Sequence, residues 1–426
     1  MGKYEKYRGA KEFDVPETMR AVVLSGTGFE NLAVREVPVP EAGPDQVLCR
    51  VDAAGVCTSI LKVVAQGPKH TFLNGWDPAR WPVILGDEGS VTVVRAGKNL
   101  CRWYKPGQRF AIQPAVDVGP INHRERYADN GMKKTAVGYT LGGNLAEYIL
   151  IEEEVLEGKC LLPLPDEDLP YFAVSMAEPI SCVYSAQQRH VHIEKAGPFA
   201  ARTAKLGLLA GGTTVVVGAG GMGLMHVELA MRFRPSNLIV SDVLAERIEK
   251  ARRLFAAKAK RLGISFLAVH AGELKDTLAR LTDGGGADDI ILAVGIREVQ
   301  QEALGLLGKG GVANLFGGLP RDKHVLELDA VAVHYDEIKV VGSSGGEPSD
   351  MAAALRAIAA GEIDPGNFVV GIGSLEQAPQ VLEDIQASKV DGKVILYPHA
   401  AAGELAAVES WDGGREREFF EGRLRG

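Results

Sequence analysis

Four stretches carry residues able to do chemistry. Residues 214–223, TVVVGAGGMG, set Gly218, Gly220 and Gly223 in a G-x-G-x-x-G spacing, behind an apolar run and ahead of the helical LMHVELAMRF. In that pattern Gly218 permits a tight turn and Gly220 lets the backbone approach a pyrophosphate. Gly223 lets helix and strand pack closely, and the amides of Gly221, Met222 and Gly223 open a helix whose N-terminus attracts an anion. The next apolar run, NLIVSD, ends in Asp242, a carboxylate placed to accept bonds from the ribose hydroxyls. It would also repel a 2′-phosphate, which favours NAD over NADP. Arg247 can turn toward such a phosphate or lie on a helix surface. The other three stretches are GVCTSILK with Cys57, LGDEG with Asp87 and Glu88, and MAEPISCVYSA with Glu178. LGDEG alone reads first as an acidic turn, since Gly accepts positive φ and Asp bonds its own backbone. It can also be a place where carboxylates meet a metal.

Elements must position these groups. From about Thr18 to Tyr148 the runs are short and β-rich, broken by Gly, Pro and Asp. QVLCRVDA alternates, with Val47, Cys49, Val51 and Ala53 on one face, which makes Cys49 a core residue. From about His190 to Val340 strands alternate with helices: TTVVVGAG, NLIVSD, ISFLAVH, DDIILAVG and GVANLF are apolar strands. That alternation implies a parallel sheet covered by helices on both faces. SDMAAALRAIAAG then reads as a helix and GKVILYP as a strand, while the charged tail from His399 discloses no role.

The totals exclude several classes. A chain of 426 residues with 46% apolar and 24% charged residues predicts two large globular domains. A formal charge of -8 argues against a nucleic-acid partner. No apolar run is long enough to span a membrane. The polar N-terminal stretch lacks a secretory pattern, and five scattered cysteines do not suggest a disulfide framework. The expected location is the cytoplasm.

Taken together the chain resembles the medium-chain dehydrogenase/reductase superfamily from about Met19 to Pro398. The resemblance rests on AGKNLCRWYKPGQRF, GGNLAEYILI, GAGGMG, GLLGKGGVANLFGG and GKVILYP. QPA, AEPISC, the helix RIEKARRLFAAKAKRLG and VVGSSGGEPSDM bring it nearest to the polyol dehydrogenase branch and its L-sorbose 1-phosphate reductase-like members. The resemblance implies an α/β chain in which a GroES-like β-rich catalytic domain (1–189 and 341–426) brackets a Rossmann NAD-binding domain (190–340). It makes Cys57 the first ligand of a catalytic zinc, and Glu178 a glutamate at the metal, directly or through water. Asp87 stands where the family has histidine, and Glu88 matches the glutamate that follows it, as ligand or ligand-exchanger. Zinc accepts Asp oxygen, so zinc or another divalent metal remains the expectation. Cys, Asp and Glu bring three negative charges, where Cys, His and Glu would bring two. Ser59 falls at the hydroxyl that relays the substrate proton, Ile60 at a usual aspartate, and Lys62 near a proton-shuttling histidine of some relatives.

The four-cysteine cluster of a structural zinc lobe is absent. His123, Arg124, Arg126, Lys133 and Lys134 make the loop in its place basic, able to grip a sugar phosphate or simply to be solvated. The expected activity is NAD(H)-dependent interconversion of a secondary alcohol and ketone on a small polyol, sugar or sugar phosphate, in a homodimer or homotetramer. A metal-free carbonyl or enone reductase, and a non-catalytic dinucleotide-binding protein, are the alternatives.

Overall fold

The computed structural model describes residues 2–129, 131–320 and 322–425. It divides into two compact units, Met1–Pro179 with Glu347–Gly426, and Ile180–Gly346. The sequence-based boundaries at 189/190 and 340/341 stand ten and six residues inside the second unit.

In the first unit the central strand is Val47–Gly55, buried along its whole length. It pairs antiparallel with Glu88–Ala96, with Tyr148–Ile151 and with Lys393–Leu396. Lys393–Leu396 pairs in turn with Val369–Gly373, so the C-terminal part of the chain completes a sheet begun by the N-terminal part. Val47, Cys49 and Val51 enter the main core as the alternation predicts, but a register shift between Val51 and Ala53 brings Ala54 into that core. The opposite face is not solvent either. Arg50 and Asp52 are buried there as an ion pair of 2.7 Å, and Thr92 donates to the second Asp52 oxygen at 2.6 Å. A buried pair is tolerable only when its remaining lone pairs find donors, as here.

The second unit holds six parallel strands in the order Ser265–His270, Asn237–Asp242, Thr213–Val217, Ala287–Leu292, Leu307–Leu315, Lys339–Gly342. In chain order that is 3-2-1-4-5-6, the doubly wound arrangement that binds dinucleotides where the strand order reverses. Thr213–Val217 is buried throughout, as an apolar run inside a covered parallel sheet must be. A two-stranded hairpin, Val191–Glu194 with Thr203–Leu206, precedes the first parallel strand. Its second strand is wholly exposed, so no hydrophobic pattern marks it in the sequence.

Candidate metal and dinucleotide sites

Two strand registers assemble the first site. Gly55 stands opposite Glu88 on one side and Ile395 on the other. Both pairings are antiparallel, so the chain beyond Gly55 runs past the residues that precede Glu88 and Ile395. Cys57 therefore arrives beside Asp87, with Lys393 facing the same group. Gly55 is required at this crossing, because a Cβ would run into Glu88 Oε2. Gly86 has φ +108°, and a Cβ there would meet the Leu145 amide nitrogen at 2.6 Å. Gly55 and Gly86 thus serve close packing around two buried carboxylates.

Ligand atoms of Cys57, Asp87 and Glu88 all lie within 4.8 Å of one another, and both carboxylates are buried. Ser59 Oγ donates to Asp87 Oδ2 at 2.6 Å, and Lys393 Nζ donates to Glu88 Oε1. Asp87 Oδ1 and Glu88 Oε2 are buried without a hydrogen-bond partner. Two orphaned carboxylate oxygens beside a sulfur are the donor set a divalent cation satisfies, so the residues fit a metal. Burial pushes the Cys57 thiol and the Asp87 and Glu88 carboxyls above their ordinary values, and the Lys393 charge draws all three back. Glu178 opens the helix Ala177–Gln188 and is 7% exposed. It lies outside the tight group, yet its charge is among those that raise Cys57 and Tyr139.

Ser59 begins the helix Ser59–Gln66, on which Ile60 is buried and Lys62 exposed. The cation that faces the carboxylates is Lys393, 305 residues along the chain from Glu88. The resemblance does not single it out, although GKVILYP contains it; a lone lysine heading an apolar strand is the one local clue. Tyr139 is a second residue that sequence reasoning missed. Burial first, then the charges of Asp87 and Cys57, raise its hydroxyl well above the usual value. Much of the basic loop's charge is engaged close by. Arg124 donates to Pro120 O, Arg126 stacks over Trp76 at 4.8 Å, and Lys134 pairs with Asp117 at 2.6 Å.

A second convergence of metal-type donors, in the other unit, has a different geometry. Asp289 Oδ1 lies 2.6 Å from His190 Nδ1 and 2.9 Å from His192 Nε2, while Oδ2 accepts from Leu209 N at 2.7 Å. Those are hydrogen-bond lengths, whereas nitrogen and oxygen sharing a tetrahedral zinc sit roughly 3.3 Å apart. Burial works to raise the Asp289 carboxyl, and the two histidines outweigh it, so the net shift is downward.

The glycine turn follows its strand as predicted. Gly218 has φ +101°, and Gly220 is the N-cap of the helix Gly221–Ala230. A Cβ on Gly223 would run into the Gly218 carbonyl oxygen. Gly221, Met222 and Gly223 are therefore the first turn, whose amides have no intrahelical acceptor. Asp242 ends its strand, buried, with Oδ2 accepting from Ala219 N at 2.8 Å and Oδ1 from Leu244 N at 3.0 Å. Arg247 Nη1 stands 3.6 Å from Asp242 Oδ2. The carboxylate is thus fixed against the glycine turn, beside the N-terminus of the helix Gly221–Ala230.

Residues 43–166 match the alcohol dehydrogenase GroES-like domain, and residues 221–360 match the zinc-binding dehydrogenase domain. The chain belongs to the zinc-type, medium-chain alcohol dehydrogenase family, and it is an oxidoreductase of that class. Among its relatives is a mannitol-1-phosphate 5-dehydrogenase of Aliivibrio fischeri, 30% identical over 96% of this chain and 93% of that protein. Another is the L-sorbose 1-phosphate reductase of Klebsiella pneumoniae, 29% identical over 90% of each chain. A zinc-binding dehydrogenase from Sinorhizobium meliloti, solved with NADP bound, superposes with a TM-score of 0.69 at 26% identity, covering 90% of this chain and all of that one. No helix among the described residues is long and apolar enough to cross a membrane.

Proposed function

We propose that the chain is a metal- and NAD(H)-dependent dehydrogenase that interconverts a secondary alcohol and a ketone on a polyol, sugar or sugar phosphate. The observation that carries this reading is the convergence of Cys57, Asp87 and Glu88 with two buried oxygens left without partners. These three residues would hold a divalent cation, zinc by the nature of the donors, with Glu178 beside them. Such a cation would polarise a substrate oxygen, and the nicotinamide cofactor would supply the hydride acceptor or donor.

The chain's own residues do the rest. Ser59, which donates to Asp87 Oδ2, would relay the proton from the substrate hydroxyl oxygen toward solvent during oxidation and return it during reduction. Lys393 neutralises Glu88 and offsets the charge that Asp87 adds in place of histidine. Lys62, exposed one turn along the helix, is a further candidate for proton exchange with solvent. Asp242 supports NAD over NADP, because its buried carboxylate would repel a 2′-phosphate; Arg247 moderates that preference.

The phosphorylated substrates named in two relatives support a sugar or polyol phosphate as the first class to screen. We also read the protein as cytoplasmic and as a homodimer or homotetramer. Lys339–Gly342 is an edge strand among the described residues, and the segment leading to it exposes Val325, Leu328, Val331 and Tyr335.

The test is metal analysis of protein purified without chelator, followed by a screen of polyols, sugars and their phosphates with NAD and NADP. Substoichiometric metal with retained reductase activity would favour a metal-free carbonyl reductase. Metal and NAD bound without any turnover would favour a non-catalytic binding protein.

A further inference from the structure

The charged tail has a buried side that the proposed chemistry does not use. Its helix, Gly413–Arg423, turns only Glu416 and Phe420 fully inward, one helical turn apart. Phe420 packs among Tyr4, Tyr171 and Tyr397, with ring centroids 5.0–5.8 Å away. Glu416, fully buried, does something more specific. Its Oε2 accepts from the amide of Tyr171 at 2.9 Å, and its Oε1 accepts from the amide of Phe172 at 2.8 Å and from Tyr397 Oη at 2.9 Å. Tyr397 Oη in turn accepts from Trp411 Nε1 at 2.8 Å.

Those two amides open the helix Tyr171–Ser175, whose N-cap position is Pro170. Proline has no side-chain acceptor to satisfy the first free amides of a helix, which an uncapped buried terminus cannot leave unpaired. The tail supplies the missing cap from about 245 residues further along the chain. From Tyr171 the chain is buried without a break to Ser181, passing through Met176 into the helix Ala177–Gln188 on which Glu178 stands. A carboxylate that holds the first two amides of this packed segment fixes where Glu178 is delivered.

We propose that Glu416 is a positioning residue of the metal site: by capping the helix Tyr171–Ser175 it sets the placement of Glu178 beside Cys57, Asp87 and Glu88. This rests on the proposed metal reading. A carboxylate is required because two backbone donors and a phenol converge on it, and a buried carboxylate is tolerated only with such a set of donors.

Zinc affinity, measured by competition against a chromophoric chelator, tests the role apart from turnover. Glu416→Gln presents an amide nitrogen to one of the two backbone donors, and should bind zinc roughly ten-fold more weakly than wild type. Its kcat should fall while the KM for NAD stays unchanged. Trp411→Phe is the control: it removes the bond to Tyr397 and lowers the melting temperature, but leaves both amides capped and zinc affinity intact. If Glu416→Gln does not accumulate as folded protein, Glu416→Asp, which keeps the charge but cannot reach both amides, is expected to weaken zinc in the same way. Zinc affinity within about two-fold of wild type in the folded Glu416 variant, with only the melting temperature reduced, overturns the positioning role. A wild-type protein that takes up no zinc, indistinguishable from Cys57→Ser, overturns the metal reading itself and this inference with it.

Discussion

Replacing Lys393 with methionine isolates the electrostatics of the metal site. The side chain keeps its approximate length and loses its charge. Glu88 is then left fully buried, with the partner of Oε1 gone and Oε2 already without one. Removing one member of a buried ion pair costs about 3–5 kcal/mol. Proton uptake limits that figure: keeping a carboxyl of ordinary value 4.5 neutral at pH 7 costs roughly 3.4 kcal/mol, at about 1.36 per pH unit. The lower end of the range therefore governs, at about 3 kcal/mol. For a unit of this size that lowers the melting temperature of chelator-treated protein by about 6–12 °C. Saturating zinc should raise the melting temperature more in the variant than in wild type, because the cation replaces the missing positive charge beside Glu88. Scanning fluorimetry with and without zinc reads both effects. A metal-free variant melting within about 1 °C of wild type would show that Lys393 does not compensate Glu88, and the charge argument would fall.

Three other outcomes follow from the geometry. Asp242→Asn removes the charge that opposes a 2′-phosphate and keeps an acceptor for the Ala219 amide, so the ratio of kcat/KM for NAD to that for NADP should fall about ten-fold or more, equivalent to about 1.4 kcal/mol; an unchanged ratio refutes that role. Gly223→Ala forces a methyl against the Gly218 carbonyl, and the strain of about 1–3 kcal/mol should appear as weakened NADH binding in a fluorescence titration. Burial pushes the Glu416 carboxyl up to about 7, with its hydrogen bonds and Arg109 opposing the rise. For a carboxyl raised in the fold, the favourable contribution is complete below the unfolded value of 4.5 and is lost as pH rises through about 7. Metal-free wild type should therefore lose about 3 kcal/mol of stability across that window through this group, read as a falling melting temperature, and Glu416→Gln should show a flatter profile.

Much of the architecture is legible locally. The runs around Thr213–Val217, Asn237–Asp242 and Ala287–Leu292 are continuous apolar strands because both faces of a parallel sheet are covered, and the helices Ala245–Arg261 and Leu274–Leu281 between the later strands each carry one apolar face. Gly218, Gly220 and Gly223 are readable because each answers a backbone requirement that side chains cannot meet. The hairpin Val191–Glu194 with Thr203–Leu206 is not legible, since a largely exposed ribbon has no buried face to print a pattern. The tail helix escapes for a related reason: its inward face is only Glu416 and Phe420, and a buried glutamate reads as a surface one.

Cys57, Asp87, Glu88 and Ser59 could be gathered from the family pattern, but what makes their combination workable could not. Three acidic groups around one divalent cation would carry a surplus negative charge, which nothing adjacent in the sequence offsets. The register of Lys393–Leu396 against Val47–Gly55 changes that balance, because it brings a cation from the far end of the chain onto Glu88. With Cys57, Asp87 and Glu88 ionised, Lys393 and a divalent metal together would restore neutrality within the group. Asp87, Glu88 and Lys393 thus form one electrostatic cluster, linked by a strand pairing between distant parts of the first unit. A single residue exchange is visible in a sequence, whereas the strand pairing that compensates it depends on contacts hundreds of residues apart.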